Sequence, residues 1–80
     1  MKIPNSIKNT FHMSDVESDW LADKIWYWSR STPYNASIIL DLIQSKLNKG
    51  LPVFRILNSK SPEDLLYTQT PLDFSRIYKK

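Results

Sequence analysis

The 80-residue chain contains 41% hydrophobic and 24% charged residues, a balance that is typical of globular proteins and argues against wholesale disorder. The absence of cysteine excludes disulfides and thiolate metal sites, and the single glycine excludes glycine-rich loops that cradle phosphates. The net charge of +3 is unevenly distributed, because residues 13–23 hold four acids and no base, whereas residues 24–60 hold six bases and one acid. We expect one small domain over residues 1–80, with no cofactor.

The N-terminal segment is polar and lacks a regular apolar period, which predicts an irregular arm over residues 1–12. Ile3, Ile7 and Phe11 recur every four positions, so the pattern also allows one helical turn. Its lysines are not followed by an apolar run, and no window approaches the roughly 18 apolar residues of a membrane span. Together with the lack of cysteine, this indicates a cytoplasmic protein.

The first long helix is predicted from residue 15 to residue 30. Ser14 and Glu17 have the spacing of a capping box, in which each side chain bonds the backbone N–H of the other residue. Asp15 and Asp19 near this end suit the positive end of the helix dipole. The segment "SRSTP" then predicts the end of the helix.

The second long helix is predicted from residue 33 to residue 49. Thr32 is the expected N-cap, and Pro33 is tolerated in a first turn because its missing N–H would have no partner there. Gly50 is the one glycine and stands where a helix commonly ends in the left-handed conformation. We therefore interpret Gly50 as a helix stop.

The C-terminal part is predicted to hold two short helices, one in "SPEDLLY" with Ser61 as its cap and one in "TPLDF" opened by Thr70 and Pro71. Residues 51–57 fit either an extended segment or a short helix, because a run of this length has no decisive period. The predicted fold is a small, compact, all-α bundle of two longer helices and two short ones.

The first long helix has more rings than one face can hold. We predict that its buried face comprises Val16, Trp20, Leu21, Ile25, Tyr27 and Trp28. Trp26 falls on the opposite side with Asp19, Asp23 and Arg30. Either the arm covers Trp26 through Ile3, Ile7 or Phe11, or Trp26 and its charged neighbours are an anchor for a partner protein, since Trp and Arg are frequent in interface hot spots.

The second long helix is apolar over more than half of its circumference. Ala36, Ile39, Leu40, Ile43 and Leu47 form one stripe, and Ile38 and Leu42 widen it. One interpretation is that the C-terminal helices cover this second side, through Leu65, Leu66, Leu72, Phe74 and Ile77. The other is that Ile38 and Leu42 contact a second copy of the chain or a partner.

Catalytic and metal signatures are not found. The acids of "DVESD" resemble the start of a calcium loop, but Trp20 and Trp26 stand where such a loop requires Gly and Glu. His12 is the only histidine, and no third group is evident that would orient it toward Ser14. We therefore predict a protein that is not an enzyme and binds no metal.

The function that we expect is stoichiometric binding to another protein, as a small inhibitor or adaptor of the phage or mobile-element accessory type. Residues Asp19, Asp23, Trp26, Arg30, Ile38 and Leu42 are the candidate contact residues. An alternative is a basic regulator that binds nucleic acid through Lys46, Lys49, Arg55 and Lys60, whose charges could neutralise phosphates. A further alternative is a structural homo-oligomer.

Overall fold

The computed structural model describes residues 2–70 of the chain. These residues form five α-helices and no strand, which confirms the all-α class for this part of the chain. The last predicted short helix begins at Thr70 and Pro71, and its apolar residues Leu72, Phe74 and Ile77 lie outside the described residues. The helices are α1 (Asn5–Thr10), α2 (Asp15–Ser31), α3 (Ala36–Asn48), α4 (Val53–Leu57) and α5 (Pro62–Tyr67).

The N-terminal arm contains α1, so residues 5–10 adopt the helical turn that the sequence allowed and are not irregular. Ile3 is buried, and Ile7 and Phe11 pack partly buried against the core. The chain turns at Phe11 and His12, and the His12 φ of 54° lies in the left-handed region. Met13, which follows, is buried. The arm therefore packs on the domain.

Helix α2 begins where the capping box predicts. The Ser14 Oγ accepts the Glu17 N–H at 3.1 Å, and the Glu17 carboxylate accepts the Ser14 N–H at 2.9 Å. At the other end, the Thr32 N–H and hydroxyl both donate to the Trp28 carbonyl oxygen, which closes the last turn. The predicted bounds are confirmed to within one residue.

Helix α3 begins three residues later than predicted. Its N-cap is Asn35, whose Oδ1 accepts the Ile38 N–H at 2.9 Å. The predicted cap, Thr32, instead closes α2, so Pro33 lies in the connection between the two helices. The prediction was wrong because the side chains of Thr32 and Asn35 are both suited to capping a helix. Thr32 bonds to the end of α2, which leaves Asn35 to cap α3.

The end of α3 confirms the interpretation of Gly50 as a helix stop. Gly50 has a φ of 96°, its N–H donates to the Leu47 carbonyl, and the Leu51 N–H donates to the Lys46 carbonyl, each at 3.0 Å. This pair of bonds is a Schellman motif, which satisfies two carbonyl groups that the helix itself leaves unpaired. Glycine fits because a Cβ disfavours positive φ.

Within residues 51–57, Val53–Leu57 form helix α4, which resolves the alternative that the sequence left open. Helix α5 has the predicted cap, because the Ser61 Oγ accepts the Asp64 N–H at 3.3 Å and Pro62 follows at the first helical position. The short helices α4 and α5 therefore follow each other in sequence and are joined by residues 58–61.

The core lies between α2, α3, α4 and α5. Helix α2 contacts α3 and α4, and α3 also contacts α5. Each fully buried large apolar side chain contributes about 1.5–3 kcal/mol relative to leaving it in water. The side chains at the centre are Leu21, Ile25 and Trp28 of α2, Ile39 and Ile43 of α3, Ile56 of α4 and Leu65 of α5.

Candidate functional site

Trp26 is 52% exposed, so the arm does not cover it. The Arg30 guanidinium lies 5.0 Å from the centroid of its ring, in the position of a cation–π pair. Such a pair is worth roughly 0.5–1 kcal/mol at an exposed site and holds both side chains in a defined place on the surface. Trp26 and Arg30 are thus brought together on the surface, and their role as an anchor stays a prediction.

The prediction that Trp20 and Tyr27 belong to the buried face was wrong. They are 57% and 61% exposed, and Val16 is also exposed. The reason is that the neighbouring helices cover only part of the circumference of α2. Helices α3 and α4 cover the side of α2 that carries Leu21 and Trp28, and they do not reach the edge of the predicted apolar face. Only Trp28 of the three rings at positions 26–28 is a core residue.

The exposed side of α2 therefore presents a continuous surface, which we call the α2 outer face. It combines aromatic rings with charged groups along four turns of one helix. Asp19 and Asp23 are exposed on it, and neither carboxylate forms an ion pair with any group in residues 2–70. The α2 outer face consists of Val16, Asp19, Trp20, Asp23, Trp26, Tyr27 and Arg30.

A groove of about 360 Å³ lies between α2 and α4 and is lined by Trp20, Lys24, Phe54, Leu57 and Asn58. The Lys24 ammonium donates to the Ser59 carbonyl at 2.9 Å and lies 5.0 Å from the centroid of the Trp28 ring. Partial burial disfavours the charged form and lowers the pKa of Lys24 below its ordinary value.

The sequence contains a signal that the apolar face of α2 ends near this groove. At about 100° per residue, Glu17 and Lys24 lie between Trp20 and Trp28 around the helix. Two ionisable side chains within a predicted apolar face indicate that the buried part of the face ends at these residues and that the helix contacts solvent there. That reasoning separates Trp20 from Trp28, but it does not identify Phe54 as the opposite wall.

The flank of α3 is only partly exposed. Ile38 is exposed, whereas Leu42 is half-buried against the core. Of the residues expected to cover this side, Leu65 is fully buried and Leu66 is exposed. The two candidate contact residues therefore differ, and Ile38 is the more accessible of the pair.

The four basic residues of the nucleic-acid alternative are not a common free surface. Lys46 is buried and its ammonium donates to the Thr68 carbonyl at 3.1 Å. The Arg55 guanidinium donates to Ser59 Oγ and Thr68 Oγ1, both at 3.2 Å. Two of the four side chains that could contact phosphates therefore form hydrogen bonds within the protein. The other two are Lys49, which is half-buried, and Lys60, which is exposed.

No group of three or more His, Asp or Glu side chains within residues 2–70 is arranged to hold a metal ion. The Ser14 hydroxyl, considered as a nucleophile, accepts the Glu17 N–H as a helix cap, and His12 is exposed. Among the helices of the described range, none is both long and apolar enough to cross a membrane.

Comparison with known proteins gives no relative from which a function could be transferred. No family model, no curated protein and no solved structure matches the chain.

Proposed function

We propose that this protein acts by stoichiometric binding to another protein, as an inhibitor or adaptor, and that the α2 outer face contacts the partner. The observation that supports the proposal most strongly is the exposure of Trp20, Trp26 and Tyr27 on one helix. Trp and Tyr are among the residues that dominate the energetics of protein interfaces, so exposed rings on one helix face suit a contact surface. The 80-residue chain has no cysteine and needs no oxidising compartment, so we propose the cytoplasm as its place of action.

The charges on this face determine the kind of partner. Asp19 and Asp23 have no ion pairs in the described chain, so a partner with Lys or Arg side chains would satisfy them. Arg30 already lies over Trp26 and would enter the contact with that ring. The partner surface that we propose is therefore basic, with an apolar centre that receives the rings.

The area available fits an anchor within a larger contact. An aromatic side chain buries about 150–250 Å² in full, so three rings that are half exposed offer on the order of 300 Å². A stable interface needs about 800 Å² on each partner, so neighbouring residues must contribute the remainder. The rings would be its energetic centre, because a few Trp, Tyr and Arg residues provide most of the affinity in typical interfaces.

The test begins with capture of a binding protein from host extract by the immobilised full chain, followed by titration calorimetry with the purified partner. We expect one partner per chain, and an affinity at least tenfold weaker for Trp26→Ala, because loss of a hot-spot ring costs more than about 1.4 kcal/mol. Tyr67→Ala is the matched control, since Tyr67 is an exposed ring on α5. Equal losses for the two variants would contradict the proposal.

A charge test uses the same partner. Asp23→Lys should weaken binding and make it less sensitive to salt, because it removes a carboxylate from the contact. Asp41→Lys makes the same change in charge on an exposed position of α3 and should leave the affinity unchanged. A partner that prefers Asp23→Lys would be acidic and would overturn the assignment.

The homo-oligomer remains a second candidate because Ile38 is exposed. Light scattering at high concentration measures the mass of the particle and so distinguishes a monomer from an oligomer. A monomer mass argues against self-association, whereas a dimer that Ile38→Glu returns to monomer would favour it. The nucleic-acid alternative is weaker, since Lys46 and Arg55 bond within the protein.

A further inference from the structure

The groove between α2 and α4 has the dimensions and lining of a small-ligand site. Its volume of about 360 Å³ is at the lower end of the range in which ligand pockets fall, roughly 300–1,000 Å³. The Trp20 and Phe54 rings form exposed walls, and Leu57 is partly buried between them and the core. Lys24 and Asn58 add two polar groups to a mainly apolar lining.

The Lys24 side chain lines this groove, and two contacts hold its ammonium in place. One of its three N–H groups donates to the Ser59 carbonyl, and the ammonium also lies over the Trp28 ring. No carboxylate within the described residues pairs with it. Its position is therefore fixed by the fold, while its charge has no anionic partner among residues 2–70.

The lining selects the chemistry of the ligand. The partly desolvated ammonium favours an anion, because a charge-assisted hydrogen bond is stronger than a neutral one and would offset the cost of its burial. The rings favour an apolar group of about their own width. Asn58 donates one amide N–H to the Phe54 carbonyl at 2.9 Å and keeps a second N–H and its oxygen for a polar group.

We propose that this groove binds a small organic acid, an aryl or alkyl chain that packs between Trp20 and Phe54 and ends in a carboxylate paired with Lys24. The site differs from the α2 outer face in its ligand and in its charge, although Trp20 belongs to both. It needs no protein partner, so it can fail or succeed independently of the proposed protein-binding function.

The test is an NMR titration of the full chain with 4-phenylbutyrate, compared with 4-phenylbutan-1-ol and 4-phenylbutylamine. The indole N–H signals of Trp20, Trp26 and Trp28 report separately and are assigned by substitution. We expect a saturable shift of the Trp20 signal, no shift at Trp26, and binding of the acid about tenfold tighter than of the alcohol or the amine.

Substitutions test separately the contribution of the Lys24 charge and the contribution of the apolar walls. Lys24→Gln should make the acid bind no better than the alcohol, whereas Lys24→Arg should keep the preference. Phe54→Ala should weaken all three probes, and Trp26→Ala is the matched control that should change none of them. Well-dispersed spectra check that each variant is folded, and the comparison of the three probes on the natural chain does not depend on any variant.

Three outcomes would overturn the proposal. The first is equal binding of acid, alcohol and amine, which would mean that Lys24 plays no part. The second is a shift of the Trp26 signal as large as that of Trp20, which would indicate adsorption to any exposed ring. The third is the absence of a saturable shift at millimolar concentrations of the acid.

Discussion

The different environments of Trp26 and Trp28 lead to a stability prediction that requires no partner. Trp28 is 1% exposed, and its indole N–H donates to the Lys60 carbonyl at 3.2 Å. Trp28→Phe leaves part of the ring's space unfilled and removes that bond, which together should lower the free energy of unfolding by about 1–3 kcal/mol.

Trp26→Ala should behave differently. It removes a cation–π pair worth roughly 0.5–1 kcal/mol, but alanine forms helices better than tryptophan by about half a kcal/mol. The two effects nearly cancel, so we expect a change in the free energy of unfolding within about 0.5 kcal/mol.

Urea unfolding followed by far-ultraviolet circular dichroism measures both variants on one scale. A single core of this size supplies roughly 3–5 kcal/mol, so the expected loss for Trp28→Phe is a large fraction of the total. The slope of the free energy against urea should not change, because both variants expose nearly the same surface on unfolding. A loss for Trp26→Ala as large as for Trp28→Phe would refute the assignment of Trp26 to the surface.

Further substitutions test individual elements of the fold by the same unfolding assay. Ser14→Ala removes the capping oxygen of α2 and should cost about 0.5–2 kcal/mol; a neutral result would mean that the capping box contributes nothing. Gly50→Ala places a Cβ at a φ of 96° and should cost about 1 kcal/mol, whereas a gain in stability would contradict the left-handed helix end. Lys46→Met removes the donor to the Thr68 carbonyl and should cost about 1–3 kcal/mol, and an unchanged stability would return Lys46 to the nucleic-acid alternative.

The helix ends could be predicted from the sequence because they depend on a few neighbouring residues. Local hydrogen bonds satisfy backbone groups at the capping box of Ser14 and Glu17, at Gly50, and at Ser61, which precedes Pro62. The structure has helix ends at all three places. The start of α3 was missed because a capping side chain and a proline stand at residues 32 and 33, and the choice of Asn35 depends on what the end of α2 already uses.

The candidate site was less predictable, because it depends on how far neighbouring helices reach around α2. Periodicity defines the order of side chains around a helix but not the width that other helices cover. This is why periodicity alone predicts Trp20 and Tyr27 in the core beside Leu21. The groove wall at Phe54 comes from α4, whose helical state the sequence left open. Contacts between elements that are distant in the chain thus determine which side chains of α2 are exposed, and local sequence patterns do not contain that information.

The most direct measurement of the central claim is the broadening of the three indole N–H signals by a neutral, soluble paramagnetic compound. The signals of Trp20 and Trp26 should broaden strongly, because these residues are 57% and 52% exposed, while that of the buried Trp28 should stay sharp. Protection of Trp20 and Trp26 to the same degree as Trp28 would contradict the account, since neither indole ring would then be available to a partner.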